Sequence, residues 1–205
     1  MQDLRRALDE IAEIRGQMAR GTVFRGYGPA ALTATGGLAA LAALAQGTWL
    51  VDPEREITAY LALWITTAVL AVAIVGFEAV RRARRVHSGL ADDMIRTAAE
   101  QFLPAAIAGA LLTVVIRHYA PEALWMLPGL WQIVFSLGVF ASCRSLPRSL
   151  LAIAVWYLAT GLICLAFASG PHALSPWAMG VPFGLGQVLS AILLKWSDGA
   201  HDDQD

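Results

Sequence analysis

The chain has 205 residues, of which 57% are hydrophobic and only 15% charged, with a formal net charge of −1. Soluble domains carry about 25% charged residues. A mean hydropathy of +0.57 therefore excludes a disordered, fibrous or soluble enzyme domain and points to an integral membrane protein. The near-neutral balance offers no cationic field to gather nucleic-acid phosphates, and two cysteines are too few for a disulfide framework.

Residues 1–28 precede the first apolar run and hold an amphipathic pattern. Leu4, Leu8, Ile11, Ile14 and Met18 recur on one helical stripe, flanked by Arg5–Asp9 and Arg6–Glu10 at i,i+4. Up to Arg20 the segment is electrically neutral, so anionic lipid attracts it weakly. Docking on another protein, self-association or packing on the chain's own cytosolic loop all fit that stripe. With no early apolar core, no cleaved signal peptide is expected.

Six apolar stretches follow: Pro29–Leu50, Ile57–Val80, Phe102–His118, Leu124–Cys143, Leu150–Ser169 and Trp177–Lys195. A helix needs about 20 mostly apolar residues to cross a hydrocarbon core. The expected fold is all-α, an integral membrane bundle of six transmembrane helices spanning 29–196, with an acidic tail at 197–205. The third stretch is the weakest, being short and carrying Arg117 near its end, from which the guanidinium can snorkel to the interface. Thirteen of the fifteen Lys and Arg fall on the side that holds the N-terminus, leaving only Arg55 and Arg117 opposite. By the positive-inside rule both termini are cytosolic. Trp49, Trp125, Trp177 and Trp196 fit aromatic belts at the two interfaces.

The three outer turns each place Pro before a titratable residue: Pro53-Glu54, Pro121-Glu122 and Pro171-His172. Pro29 and Pro104 open the first and third helices, and Pro147 the fifth. Helix punctuation and a thrice-repeated hairpin both account for this. The fourth stretch holds Pro128-Gly129-Leu130-Trp131-Gln132, and the sixth holds Pro182-Phe183-Gly184-Leu185-Gly186-Gln187. Gly129, Gly184 and Gly186 admit close helix approach, and Gln132 and Gln187 can hydrogen-bond between helices. These are read as equivalent packing seams, or alternatively as the lining of a polar path.

Chemistry-bearing residues are sparse. Glu78 is the only acidic residue within a predicted span, one turn from the arginines, and an interfacial ion pair with Arg81 or Arg82 is expected; a proton or cation site is the alternative. His87 and His201 fall in cytosolic segments and His118 and His172 at the outer surface, so no haem or zinc ligand set is expected, and no cofactor. Asp52, Glu54, Glu122, His118 and His172 could form a metal or ligand site only if the hairpin tips cluster.

The stretch from Ile14 to Pro29, Leu127-Pro128-Gly129-Leu130-Trp131, and Met179 to Gln187 resemble a set of small bacterial membrane proteins. Those proteins are uncharacterised, have about six spans, and are often encoded beside winged-helix regulators of the PadR-like type. The resemblance implies residence in a bacterial inner membrane and no assigned activity. Two functions follow as expectations. One is a non-enzymatic accessory or signalling subunit, packing with itself or a larger complex among membrane lipids. The other is a small transporter, which would show a wet cavity near mid-membrane lined by Gln132, Gln187, Thr66, Thr67 or Thr160.

Overall fold

The computed structural model describes residues 28–86, 91–142, 151–167 and 172–202. The amphipathic stripe of Leu4, Leu8, Ile11, Ile14 and Met18 lies outside them, as do His87, Cys143 and Pro147. Every regular element described is helical. They are α1 (Pro29–Trp49), α2 (Ile57–Val86), α3 (Ala91–Tyr119), a 3₁₀ turn (Pro121–Met126), α4 (Leu127–Ser142), α5 (Leu151–Phe167) and α6 (Pro176–Asp202).

Five segments are long and apolar enough to cross a membrane: Pro29–Trp49, Ile57–Arg81, Ala99–Tyr119, Pro121–Ser142 and Pro176–Lys195. The sixth apolar helix, Leu151–Phe167, spans 17 described residues. The α2–α3 flank leaves Ile65, Val69, Val72, Phe77, Leu103, Ile107, Leu111 and Val114 exposed. An apolar surface of that extent is foreign to a soluble monomer and natural against lipid.

Local chemistry sets the helix ends. Pro29 occupies the first turn of α1, where its missing N–H costs nothing, after an extended Gly28. Pro104 behaves differently from the expectation that it opens the third helix. It lies inside α3, because the helix begins at Ala91 and is longer than the apolar stretch suggests. The 3₁₀ turn ends at Met126, so Pro128 falls in the first turn of α4 and breaks nothing. Pro182 does fall within α6.

Each helix touches the next in chain order, and α6 returns to lie along α1. The most extensive contacts join α1 to α6 and α4 to α5, and α4 also touches α6 across the bundle. Glycines make these approaches possible. A Cβ at Gly161 would stand 2.8 Å from the Gly129 carbonyl oxygen, and one at Gly129 would stand 2.8 Å from that of Gly161. Among the described residues, two core clusters stand out. Ala42, Ala43, Tyr60, Leu61, Trp64, Ile116, Leu127, Leu174 and Met179 fill the end near the turns. Leu32, Ile153, Tyr157, Ala191 and Leu194 fill the opposite end.

Candidate functional site

In hydrocarbon every polar group must find a partner within the protein. Hydroxyls mostly find theirs one turn back: Thr67 donates to the Leu63 carbonyl, Thr113 to Gly109, Ser142 to Gly138, Thr160 to Trp156 and Ser190 to Gly186, all at 2.7–2.9 Å. Larger side chains link the helices. Gln46 of α1, fully buried, donates through Nε2 to the Leu174 carbonyl at 2.6 Å and accepts from the Trp64 indole of α2 at 2.8 Å. The Trp131 indole of α4 donates to Thr113 Oγ1 of α3 at 2.8 Å. The Trp156 indole of α5 donates to the Pro182 carbonyl of α6 at 3.0 Å.

The sequence alone assigns these three indoles no role. Their mid-span position is the only signal that sets them apart from Trp49 and Trp177, which are exposed near helix ends as a belt requires. The pattern also bears on the repeated hairpin. Trp64 and Trp131 each bond a residue 18 positions earlier, in the first and second hairpins. In the third hairpin the indole lies on the leading helix instead. The likeness therefore joins the first two hairpins, whereas the Pro/Gly/Gln pattern had paired the last two.

Gln132 is fully buried, and its Nε2 reaches two carbonyls, Pro128 at 3.0 Å and Ala178 at 2.9 Å. The second has a specific cause. Ala178 precedes Pro182 by four residues, and proline has no N–H to close that turn. The amide of Gln132 supplies the donor that α6 lacks. Gln187 occupies a different environment: its Cβ faces Gly36 of α1, and its amide faces the Tyr157 hydroxyl of α5. Gln132 and Gln187 are thus not equivalent, and they occupy opposite sides of α6.

The glycines divide likewise. Gly129 faces Gly161, and Gly186 lies beneath Tyr157, where a Cβ would come within 2.5 Å of the hydroxyl. Gly184 approaches Gly36, but a Cβ there would meet only the Gly36 oxygen, at 3.8 Å. Gly36, Gly161 and Gly180 are close-approach positions that sequence reasoning missed.

Glu78 is half-buried and Arg81 exposed. The ion pairs described are Asp52–Arg55 and Arg96–Glu100, both exposed, and a Glu78–Arg81 pair is not among them. The Arg82 side chain lies outside those described. At the turns, Asp52, Glu54, Glu122, His118 and His172 do not gather into a metal-ligand group.

A pocket of about 340 Å³ opens between α5 and α6, lined mainly by apolar groups with Thr160, Cys164, His172 and Ser175 among them. Of the residues expected to line a transport cavity, only Thr160 borders it. Thr66 is exposed on the outside of α2, and Thr67 is tied to its own helix. Compared with protein-family models, curated proteins and solved structures, the chain matches none.

Proposed function

We propose that this chain is a six-span protein of a bacterial inner membrane, with both termini cytosolic. It acts there as a non-enzymatic accessory or signalling subunit, of the kind found in the small uncharacterised family it resembles. The observation that carries this reading is the use of the buried amides and indoles. Gln46, Trp64, Trp131, Gln132 and Trp156 each bond to a neighbouring helix, so their polarity holds the bundle together. The broad apolar flank of α2 and α3 leaves room for a partner helix or a second copy within the lipid. The neutral stripe of residues 4–18 provides a second contact, in the cytosol.

Native purification with mass spectrometry of co-purifying chains tests this. The parent should run as an oligomer or carry a partner. Leu8→Asp with Ile11→Asp should lose that mass while the inserted bundle stays intact, since docking through this stripe would bury each side chain for about 1.5–3 kcal/mol. An unchanged mass and co-purification profile would remove the docking role.

The topology has its own test. Single cysteines at Glu54, Glu122 and His172, in a Cys-free background, should react with an impermeant thiol reagent on intact cells. Cysteines at Ser88 and Ser145 should react only after lysis. Labelling of the second pair without lysis would sink the six-span arrangement.

A transporter reading keeps one specific observation, the Pro182 break in α6 flanked by Gln132 and Gln187. It requires a solute flux that Gln187→Leu abolishes at unchanged melting temperature.

A further inference from the structure

α5 and α6 follow each other in the chain, yet they are joined at one end only. The Trp156 indole donates to the Pro182 carbonyl at 3.0 Å, and Tyr157 lies against Gly186. Between that crossing and the 172–175 turn, a groove of about 340 Å³ separates the two helices. Their other faces explain why it stays open. α5 is seated on α4 where Gly161 meets Gly129, and α6 is seated on α1 where Gly180 meets Ala43. Each wall thus belongs to a different helix pair, and neither can cross the gap without breaking one of the most extensive contacts in the bundle.

The groove changes character along its length. Cys164 and Pro182 are buried at its floor, and the Thr160 hydroxyl is bonded back to the Trp156 carbonyl at 2.9 Å, so the inner end asks for no polar partner. Phe167 and Trp177, both exposed, form rims continuous with the lipid-facing surface. Apart from Thr160, the side-chain N–H and O–H donors of the lining stand at the turn end, on His172, Ser175 and Trp177. Gln46 fixes that turn by donating to the Leu174 carbonyl at 2.6 Å. Among the described residues, no Asp or Glu lines the groove.

We propose that this groove binds one anionic phospholipid, with an acyl chain between α5 and α6 and its phosphate and ester oxygens against His172 and Ser175. Size and polarity select the ligand. From Thr160 to Phe167 the groove runs about 10 Å at 1.5 Å per residue, within one half of a hydrocarbon core roughly 30 Å thick. The chain therefore enters from the leaflet on the side of the turn. A partner helix, about 10–12 Å across, is too wide for that volume. Apolar walls with a few polar groups that set orientation, in a cleft of about 300–1,000 Å³, are the usual form of a small-ligand site. Donors at the mouth with no carboxylate among them match a head group rich in charged acceptors. The site goes beyond the subunit role and rests only on the bundle lying in a bilayer, whichever side the turn faces.

In dodecyl maltoside, whose head group has no phosphate, the full-length protein is titrated with phosphatidylglycerol carrying a diazirine midway along one acyl chain. After irradiation, mass spectrometry maps the cross-linked residues. Label on residues 163–167 should saturate, whereas label on the exposed Val69 and Val72 of α2 should rise in proportion to the probe. Diacylglycerol with the same chains and no phosphate should label both stretches in proportion. His172→Ala, at an exposed position outside α5 and α6, should raise the half-saturating concentration about tenfold, the worth of one hydrogen bond to a charged group. Its melting temperature without lipid should match the parent. Proportional label in the groove, equal saturation by diacylglycerol, or a His172→Ala protein that saturates like the parent overturns the site alone. Label on neither stretch overturns it together with the membrane reading.

Discussion

Gly161→Ala should destabilise the protein although alanine is the better helix former. The added methyl carbon would stand 2.8 Å from the Gly129 carbonyl oxygen and 2.8 Å from Ile133 Cγ1. The Ile133 side chain can rotate away, but the carbonyl is backbone and cannot. Relief therefore requires α4 and α5 to separate along one of the most extensive contacts in the bundle. Overpacking of this kind costs about 1–3 kcal/mol, against a helix-propensity gain of about 1 kcal/mol. A net fall in melting temperature is expected, and Gly161→Leu should prevent the two helices from closing at all. Gly37 and Gly76 are the controls, since nothing lies within 4 Å of a Cβ at either. Alanine at those sites should be neutral or stabilising. Thermal melts in detergent, read by a thiol dye on buried Cys164, compare the four variants. A Gly161→Ala protein as stable as Gly37→Ala would show that α4 and α5 do not cross where the glycines meet.

That contrast also marks the boundary of what sequence can say about this fold. The apolar stretches of about 20 residues, the Pro-bearing turns and the all-helical class were legible, because they follow from local composition and from the thickness of a bilayer. A glycine's partner is a matter of which helix lies opposite, and nothing local to Gly37 and Gly161 separates the open position from the crowded one. Pro104 illustrates the same limit. Its place inside α3 depends on the helix beginning at Ala91, within a polar stretch that hydropathy does not count. For the polar side chains, Gln132 was flagged by its motif. The reason for its burial was hidden, since the donor is needed by α6, 46 residues away. Gln46 carries no motif at all, yet it serves both the Leu174 carbonyl and the Trp64 indole.

Gln46→Leu should accordingly cost more than any other amide substitution. It strands two buried groups, the Trp64 N–H and the Leu174 carbonyl, which Gln46 now serves at 2.8 and 2.6 Å. An unsatisfied buried group costs about 1–3 kcal/mol in proteins generally, but membrane proteins recover part of this, with measured couplings averaging about 0.6 kcal/mol. The two bounds place Gln46→Leu at about 2 kcal/mol, a fall of about 4–8 °C in melting temperature. Gln132→Leu should cost about half as much, because it strands only the Ala178 carbonyl and also removes an oxygen that has no protein partner. Its cost should further depend on Pro182. In a Pro182→Ala background residue 182 regains its N–H, and the Ala178 carbonyl can be satisfied within α6. Gln132→Leu should then be close to neutral, whereas Gln46→Leu should cost the same in both backgrounds. The readout is a double-mutant cycle on melting temperature in detergent. A coupling between Gln132 and Pro182 with none between Gln46 and Pro182 is the signature of an amide that repairs a proline break. Equal costs for Gln132→Leu with and without Pro182 would assign that amide to something other than the Ala178 carbonyl.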